Sequence, residues 1–370
     1  MAKKIKFITY HSYSSNGIGG VEELIRSLQL IAETSGLRPV EIYLKGDNGH
    51  VFESMANVTK IKYPGVFYNF KFIDRINRAL FLRRALDALD VGVGDFLVLF
   101  DPKQLLLLPA KVKSNCKIIL VQVNRVDKLF KTMSSKISVW VLKQNIFAFT
   151  VYTDFDKKEL VERFPFLVNK VKVIPRACKL KTSSETARHS KRLVTVARID
   201  EKQKNFSAMV AIFKSLPQDY SLEIYGDGPP DELCRLEEII KGVKNVRYMG
   251  VVRDVSTVLK KNSIFIMTSH YEGFGQTLIE ARSQGLPVVA YDSFKSASWV
   301  VKDGVTGFLV EPNNISGFVE KLMLIGEDKK IYNYLSNNSI HFAKETEREK
   351  IDCLWEKVLT SARAGLESSD

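Results

Sequence analysis

Two glutamates, Glu272 and Glu280, bracket a Gly273-Phe274-Gly275 turn, and this stretch holds the side chains best suited to chemistry. The apolar run Ser263–Ser269 before it reads as a buried parallel strand. Gln276–Gln284 reads as the following helix, stopped by Gly285-Leu286-Pro287. Glu272 therefore falls on the loop at the carboxyl end of a strand, the rim where open α/β sheets bind ligands. Gly273 and Gly275 let backbone approach a ligand and leave amides pointing at it. Glu280 lies one turn into the helix. A carboxylate there accepts two hydrogen bonds from a vicinal diol such as a ribose.

Cations stand at the end of a second strand. Arg192–Ala197 reads as a strand, Arg198 follows it, and Lys204 closes the loop, with Lys202 competing by spacing. A leaving group that gathers negative charge is stabilised by fixed cations of this kind. Near the start, Gly19-Gly20 separates the strand Lys4–Tyr10 from the helix Val21–Ala32. That places both glycines at a helix N-terminus, which favours phosphate, or in a plain turn.

These features together resemble the Glu-x7-Glu signature of family 4, the retaining nucleotide-sugar glycosyltransferases of the GT-B fold. The similarity continues through Ala281-Arg282, Gly285–Ala290 and Asp303–Val310, and it is strongest from Leu193 to Val310. It implies that Glu272 contacts the donor sugar and Glu280 the ribose, with Gly273, Phe274 and Gly275 beside them. It also implies that Arg198 and Lys204 hold the diphosphate, that Gly19 and Gly20 close over it, and that Gly226 and Val251 border the donor. A histidine that the family often carries after an N-domain strand is absent, and Asn124-Arg125-Val126-Asp127 stands there. Asp154-Phe155-Asp156 matches the metal-binding signature of the other major glycosyltransferase fold, GT-A, but Thr153-Asp154 at a helix start is explained by N-capping. No metal and no cofactor are expected.

The elements that must position these residues alternate strand and helix twice around one polar stretch. The expected architecture is α/β, two Rossmann-like domains facing a cleft. The boundaries are an acceptor-binding domain at 1–176, a linker at 177–191, a nucleotide-sugar-binding domain at 192–345, and a final helix at 346–370 packing back on the first domain. At 370 residues the chain suits two cores. No apolar run approaches the roughly 18 residues of a membrane span, and the start shows no signal-peptide core. Four dispersed cysteines fit a reduced, cytoplasmic protein.

Charge is uneven. Residues 1–190 carry 31 Lys and Arg against 17 Asp and Glu, a net +14, and the remainder is close to neutral. Nucleic acid, anionic lipid and an anionic acceptor are the possible partners, but no nucleic-acid module is present. Tyr63–Arg84 mixes Tyr63, Phe67, Tyr68 and Phe70 with Arg75, Arg78, Arg83 and Arg84, either a basic surface helix on lipid or a helix packed on the sheet.

The expected function is transfer of a hexose, with retention, from a nucleotide diphosphate sugar to an acceptor hydroxyl. UDP is the expected nucleotide and a bacterial surface glycan or lipid-linked saccharide the expected acceptor. The enzyme would work in the cytoplasm, peripherally on the inner face of the membrane. The alternatives are a catalytically silent nucleotide-sugar-binding subunit and a GT-B-like nucleotide-sugar epimerase. Donor hydrolysis excludes the first, and product analysis with donor alone identifies the second.

Overall fold

The computed structural model describes residues 4–17, 20–46, 57–65 and 71–367. Two compact units divide the chain, Met1–Pro175 with Asp352–Asp370 and Arg176–Ile351. Gly19, Phe67, Tyr68 and Phe70 lie outside the described residues.

The strands of the first unit are β1 (Lys6–Tyr13), β2 (Arg38–Lys45), β3 (Thr59–Lys62), β4 (Phe96–Leu99), β5 (Lys117–Val121), β6 (Ile146–Val151) and β7 (Val171–Val173). They form one parallel sheet in the order β3-β2-β1-β4-β5-β6-β7. All four residues of β4 are fully buried, the pattern of a strand covered on both faces. Each contributes on the order of 1.5–3 kcal/mol by burial.

Its helices are α1 (Gly20–Thr34), α2 (Lys71–Ala88), α3 (Ala110–Asn115), α4 (Val126–Leu129), α5 (Met133–Val141) and α6 (Asp154–Arg163), and a 3₁₀ turn spans Pro102–Leu107. The crossover through α1 runs toward the β3 edge. The crossovers through α2, α3, α5 and α6 run the other way, so right-handed connection puts them on the opposite face. The topological switch therefore falls between β1 and β4.

β1 runs three residues beyond the expected Tyr10, pairing through Tyr13 with Lys45 of β2. The loop after it is tied by the buried Glu41. Its carboxylate accepts from Ser15 N and Ser15 Oγ, each at 2.6 Å, and pairs with Lys60 at 3.4 Å. Arg26 donates to Gly17 O at 2.7 Å.

The second unit holds β8 (Arg192–Val196), β9 (Ser221–Tyr225), β10 (Val246–Gly250), β11 (Ile264–Met267), β12 (Val288–Tyr291) and β13 (Gly307–Val310). Their order is β10-β9-β8-β11-β12-β13, again all parallel, with the switch between β8 and β11. The helices are α7 (Glu201–Lys204), α8 (Phe206–Lys214), α9 (Pro230–Ile240), α10 (Val255–Lys261), α11 (Gln276–Ser283), α12 (Ala297–Val300), α13 (Ile315–Glu327), α14 (Lys329–Ala343) and α15 (Arg348–Glu367). From Asp352 onward the chain groups with the first unit.

The segment 177–191, expected as a linker, groups with the second unit. Its irregular backbone is held by Gln276 Nε2 to Ala177 O at 2.9 Å, Ser183 N to Ser283 O at 2.8 Å and Gln284 Nε2 to Lys181 O at 3.0 Å. Both units are Rossmann-like, and together they have the architecture of the GT-B fold.

Candidate active site

The loops after β8 and β11 leave neighbouring strands at the switch point of the second sheet, so their side chains meet. Asp200 caps α7 by accepting from Gln203 N at 3.1 Å. Asn205 ends that single turn in the left-handed region, φ 57°, which Asn tolerates better than most residues. Its side chain then caps α8, accepting from Ala208 N at 3.3 Å. Thr268 Oγ1 donates to Lys204 O and Asn205 O, each at 3.0 Å, and His270 N donates to Gln203 O at 2.8 Å. The two loops are thereby laced by backbone as well as side chains.

Glu272 is 8% exposed, so its charge needs partners within the protein. Oε1 accepts from Lys204 Nζ at 2.6 Å and from Ser269 Oγ at 2.8 Å, and Gln203 Nε2 reaches Oε2 at 3.5 Å. Arg198 extends the network outward. Its Nη2 donates to Gln203 Oε1 at 2.7 Å and to Asp200 Oδ2 at 3.3 Å, while 64% of its side chain remains in solvent. Arg198, Lys204 and Glu272 thus form one constellation, with Gln203 between them. Sequence reasoning passed over Gln203, and its only signal was its place between the two cations.

Gly275 caps α11 at φ 90° and has no side chain to occupy the first-turn amides. A Cβ there would crowd Leu278 at 3.0 Å and Phe294 at 3.3 Å. Phe274 is buried against Trp299, ring centroids 5.6 Å apart. The turn therefore leaves the α11 N-terminus without a side-chain cap, three residues after the Glu272 that Lys204 contacts. Just after β9, Gly226 permits no side chain, because a Cβ would lie 1.7 Å from Ala197 O. That close approach holds the Gly226–Gly228 turn against the start of the Arg198 loop, with Ile199 N donating to Asp227 O at 2.7 Å. Val251 follows β10 and is exposed.

Glu280 sits inside α11 and is only 4% exposed. Burial, with a smaller push from the Glu280 charge, raises the Cys178 thiol above its ordinary value. Arg282 anchors the same helix from its buried side, donating to Val300 O at 3.1 Å and Thr346 Oγ1 at 3.2 Å. Burial pushes its pKa down to about 10, opposed by Glu345 at 3.7 Å.

In the first unit, Gly20 opens α1. A cavity of about 260 Å³ lies at the carboxyl ends of β1, β4 and β5, lined by His11, Asp101, Lys103, Gln104, Asn124 and Lys128. Asn124 thus faces the same space as His11, a residue that scattered spacing in the sequence did not single out. Burial lowers the His11 pKa, so the ring is neutral at pH 7. Asp156 serves as the N3 partner of the Thr153 cap, accepting from Thr153 Oγ1 at 2.6 Å and from Gln122 Nε2 at 3.0 Å. Burial raises its pKa.

Residues 179–342 match the family model for glycosyl transferases group 1, covering most of the second unit. Over 158 residues the chain is 31% identical to a poly(glycerol-phosphate) alpha-glucosyltransferase of Bacillus subtilis, spanning 42% of this chain and 23% of that protein. Over 134 residues it is 32% identical to a UDP-Gal:alpha-D-GlcNAc-diphosphoundecaprenol alpha-1,3-galactosyltransferase of Escherichia coli, spanning 36% of this chain and 34% of that protein. In fold it is similar to sucrose-phosphate synthase of Thermosynechococcus elongatus, with a TM-score of 0.79 at 15% identity over 97% of this chain and 100% of that one.

Proposed function

We propose that the chain is a retaining glycosyltransferase that moves a hexose from a nucleotide diphosphate sugar, with UDP as the nucleotide, to an acceptor hydroxyl. The observation that carries this reading is the Arg198-Gln203-Glu272-Lys204 constellation at the switch point of the second sheet. It joins two cations and a buried carboxylate through one glutamine. The match to group 1 glycosyl transferases over the same unit supports it.

In the proposed reaction the bond between the anomeric carbon and the diphosphate oxygen breaks, and the diphosphate keeps the electron pair. Arg198, Lys204 and the α11 amides stabilise the charge that grows there. Gly19, outside the described residues, and Gly20 at the start of α1 are proposed to contact phosphate. Gly273, Phe274 and Glu272 position the sugar, Glu280 accepts from the ribose, and Gly226 and Val251 border the nucleotide. The acceptor oxygen bonds to the same face of the anomeric carbon, and its proton passes to the departing phosphate oxygen. Fixed cations do this charge work without a divalent metal, so EDTA should leave turnover intact. A metal-rescued loss would contradict that part.

For the acceptor we propose a bacterial surface glycan or a lipid-linked saccharide, taken up by the first unit. The acceptors of the two relatives, a poly(glycerol-phosphate) and a diphosphoundecaprenol-linked sugar, support this class. The test is incubation of the pure protein with a panel of UDP-hexoses. Release of UDP and free hexose from one of them supports the reading. Isomerised nucleotide sugar as the only product would point to an epimerase, and binding without turnover to a silent subunit.

A further inference from the structure

We propose that one face of the first unit docks on an anionic lipid bilayer, through a stripe that runs from α2 across the 3₁₀ turn at Pro102–Leu107 to α5. This inference stands independently of the donor site.

Helix α5 is inverted relative to an ordinary amphipathic helix. It buries Ser135, Ser138 and Val139 and turns Met133, Ile137, Trp140 and Val141 outward, at 67%, 47%, 63% and 56% exposure. Their spacing of four, seven and eight residues places them on one side. The 3₁₀ turn packs against both α5 and α2 and exposes Leu106. Helix α2 buries Leu82, Ala85 and Leu86 and exposes Ile73, Ile76 and Leu80, again on one side. Right-handed crossovers place α2 and α5 on the same face of the sheet. Eight of the 17 exposed large hydrophobic side chains among the described residues fall in these three elements, so the exposure is concentrated rather than scattered.

Charge selects the occupant. Residues 102–143 hold nine Lys and Arg and one acid, Asp127, and α5 holds no acid at all. Lys136 and Arg163 line a recess of about 400 Å³ together with Ile137, Trp140, Phe164 and Phe166. Lys143 Nζ lies 5.9 Å from the Trp140 ring centroid and 5.4 Å from that of Phe166. Amphipathic Trp and Lys beside exposed aliphatic side chains suit the headgroup level of a bilayer. The basic rim suits its anionic lipids. The aromatic anchor is Trp140 rather than the expected Tyr63, which is buried in a T-shaped contact with Phe81 at 5.1 Å. No helix among the described residues is long and apolar enough to cross a membrane.

The experiment uses the full chain and vesicles of phosphatidylcholine with or without phosphatidylglycerol. Co-sedimentation should favour the anionic vesicles by about tenfold or more and fall as salt rises. Tryptophan emission should shift to the blue on binding, and Trp140→Phe should remove the shift while keeping the sedimentation. The triple variant Met133→Ser, Ile137→Ser, Trp140→Ser should lose about tenfold in partitioning or more at an unchanged melting temperature. Should it not fold, Lys136→Glu with Lys143→Glu tests the same face through exposed charge alone. Equal sedimentation with neutral and anionic vesicles, or variants that bind as the wild type does, would overturn the proposal. So would absence of vesicle binding with a self-associating species that the triple variant abolishes, which would make the face a contact between two copies.

Discussion

The Nζ of Lys204 lies 2.6 Å from Oε1 of Glu272, and 12% and 11% of the two side chains are exposed. This cation is a structural partner of the carboxylate and, in the proposed reaction, a source of charge for the diphosphate. Removing one member of a buried pair leaves the other uncompensated. Lys204→Ala should therefore lower stability by about 1–3 kcal/mol, since Ser269 and Gln203 still satisfy Glu272. It should also lower turnover. Arg198→Ala should lower turnover alone, because its side chain is largely in solvent. Melts beside kcat separate the two, and equal stability losses would contradict this division.

Glu280→Gln keeps the size and one acceptor oxygen of a buried side chain while removing its charge. The account expects weaker UDP binding by calorimetry, by about 1.5–3 kcal/mol, with the fold retained. An unchanged dissociation constant in a folded variant would remove Glu280 from the nucleotide site.

His11 gives a dependence on pH. Burial holds its folded pKa below the ordinary 6.5, so the unfolded chain takes up the proton first. Stability is unaffected above that range and is lost as pH falls through 6.5 toward the folded pKa. Melting temperature should drop more for the wild type than for His11→Gln between about pH 7.5 and 5.5, and the difference between them should be constant above it. Parallel profiles would show that the ring is not held neutral.

Much of the second unit was readable from the chain because its chemistry is local. Glu272 and the glycine turn fall on the loop after β11 and Glu280 on the helix that follows, and Arg198 and Lys204 stand in the same way after β8. The pairing of Lys204 with Glu272 was not readable, because 68 residues separate them and only the adjacency of β8 and β11 joins their loops. His11 escaped notice because the five histidines are scattered along the chain without ligand-like spacing, and only the fold brings its ring to the cavity that Asn124 lines. The outward face of α5 escaped for another reason. Only tertiary packing reveals that its serines Ser135 and Ser138 are inside and its apolar residues outside. Helix α2 was legible as basic and periodic, and packing buries Leu82, Ala85 and Leu86 while leaving Ile73, Ile76 and Leu80 exposed, so it packs on the unit as one of the two readings had it.

The most direct test of the central claim is UDP release from a panel of UDP-hexoses by the wild type and by Arg198→Ala. The account predicts UDP and free hexose from at least one donor with the wild type. It predicts a fall in kcat of roughly tenfold or more, larger than the fall in donor affinity, with the variant. Equal turnover by both proteins, or loss of donor affinity at full turnover, would contradict the role given to the loop after β8.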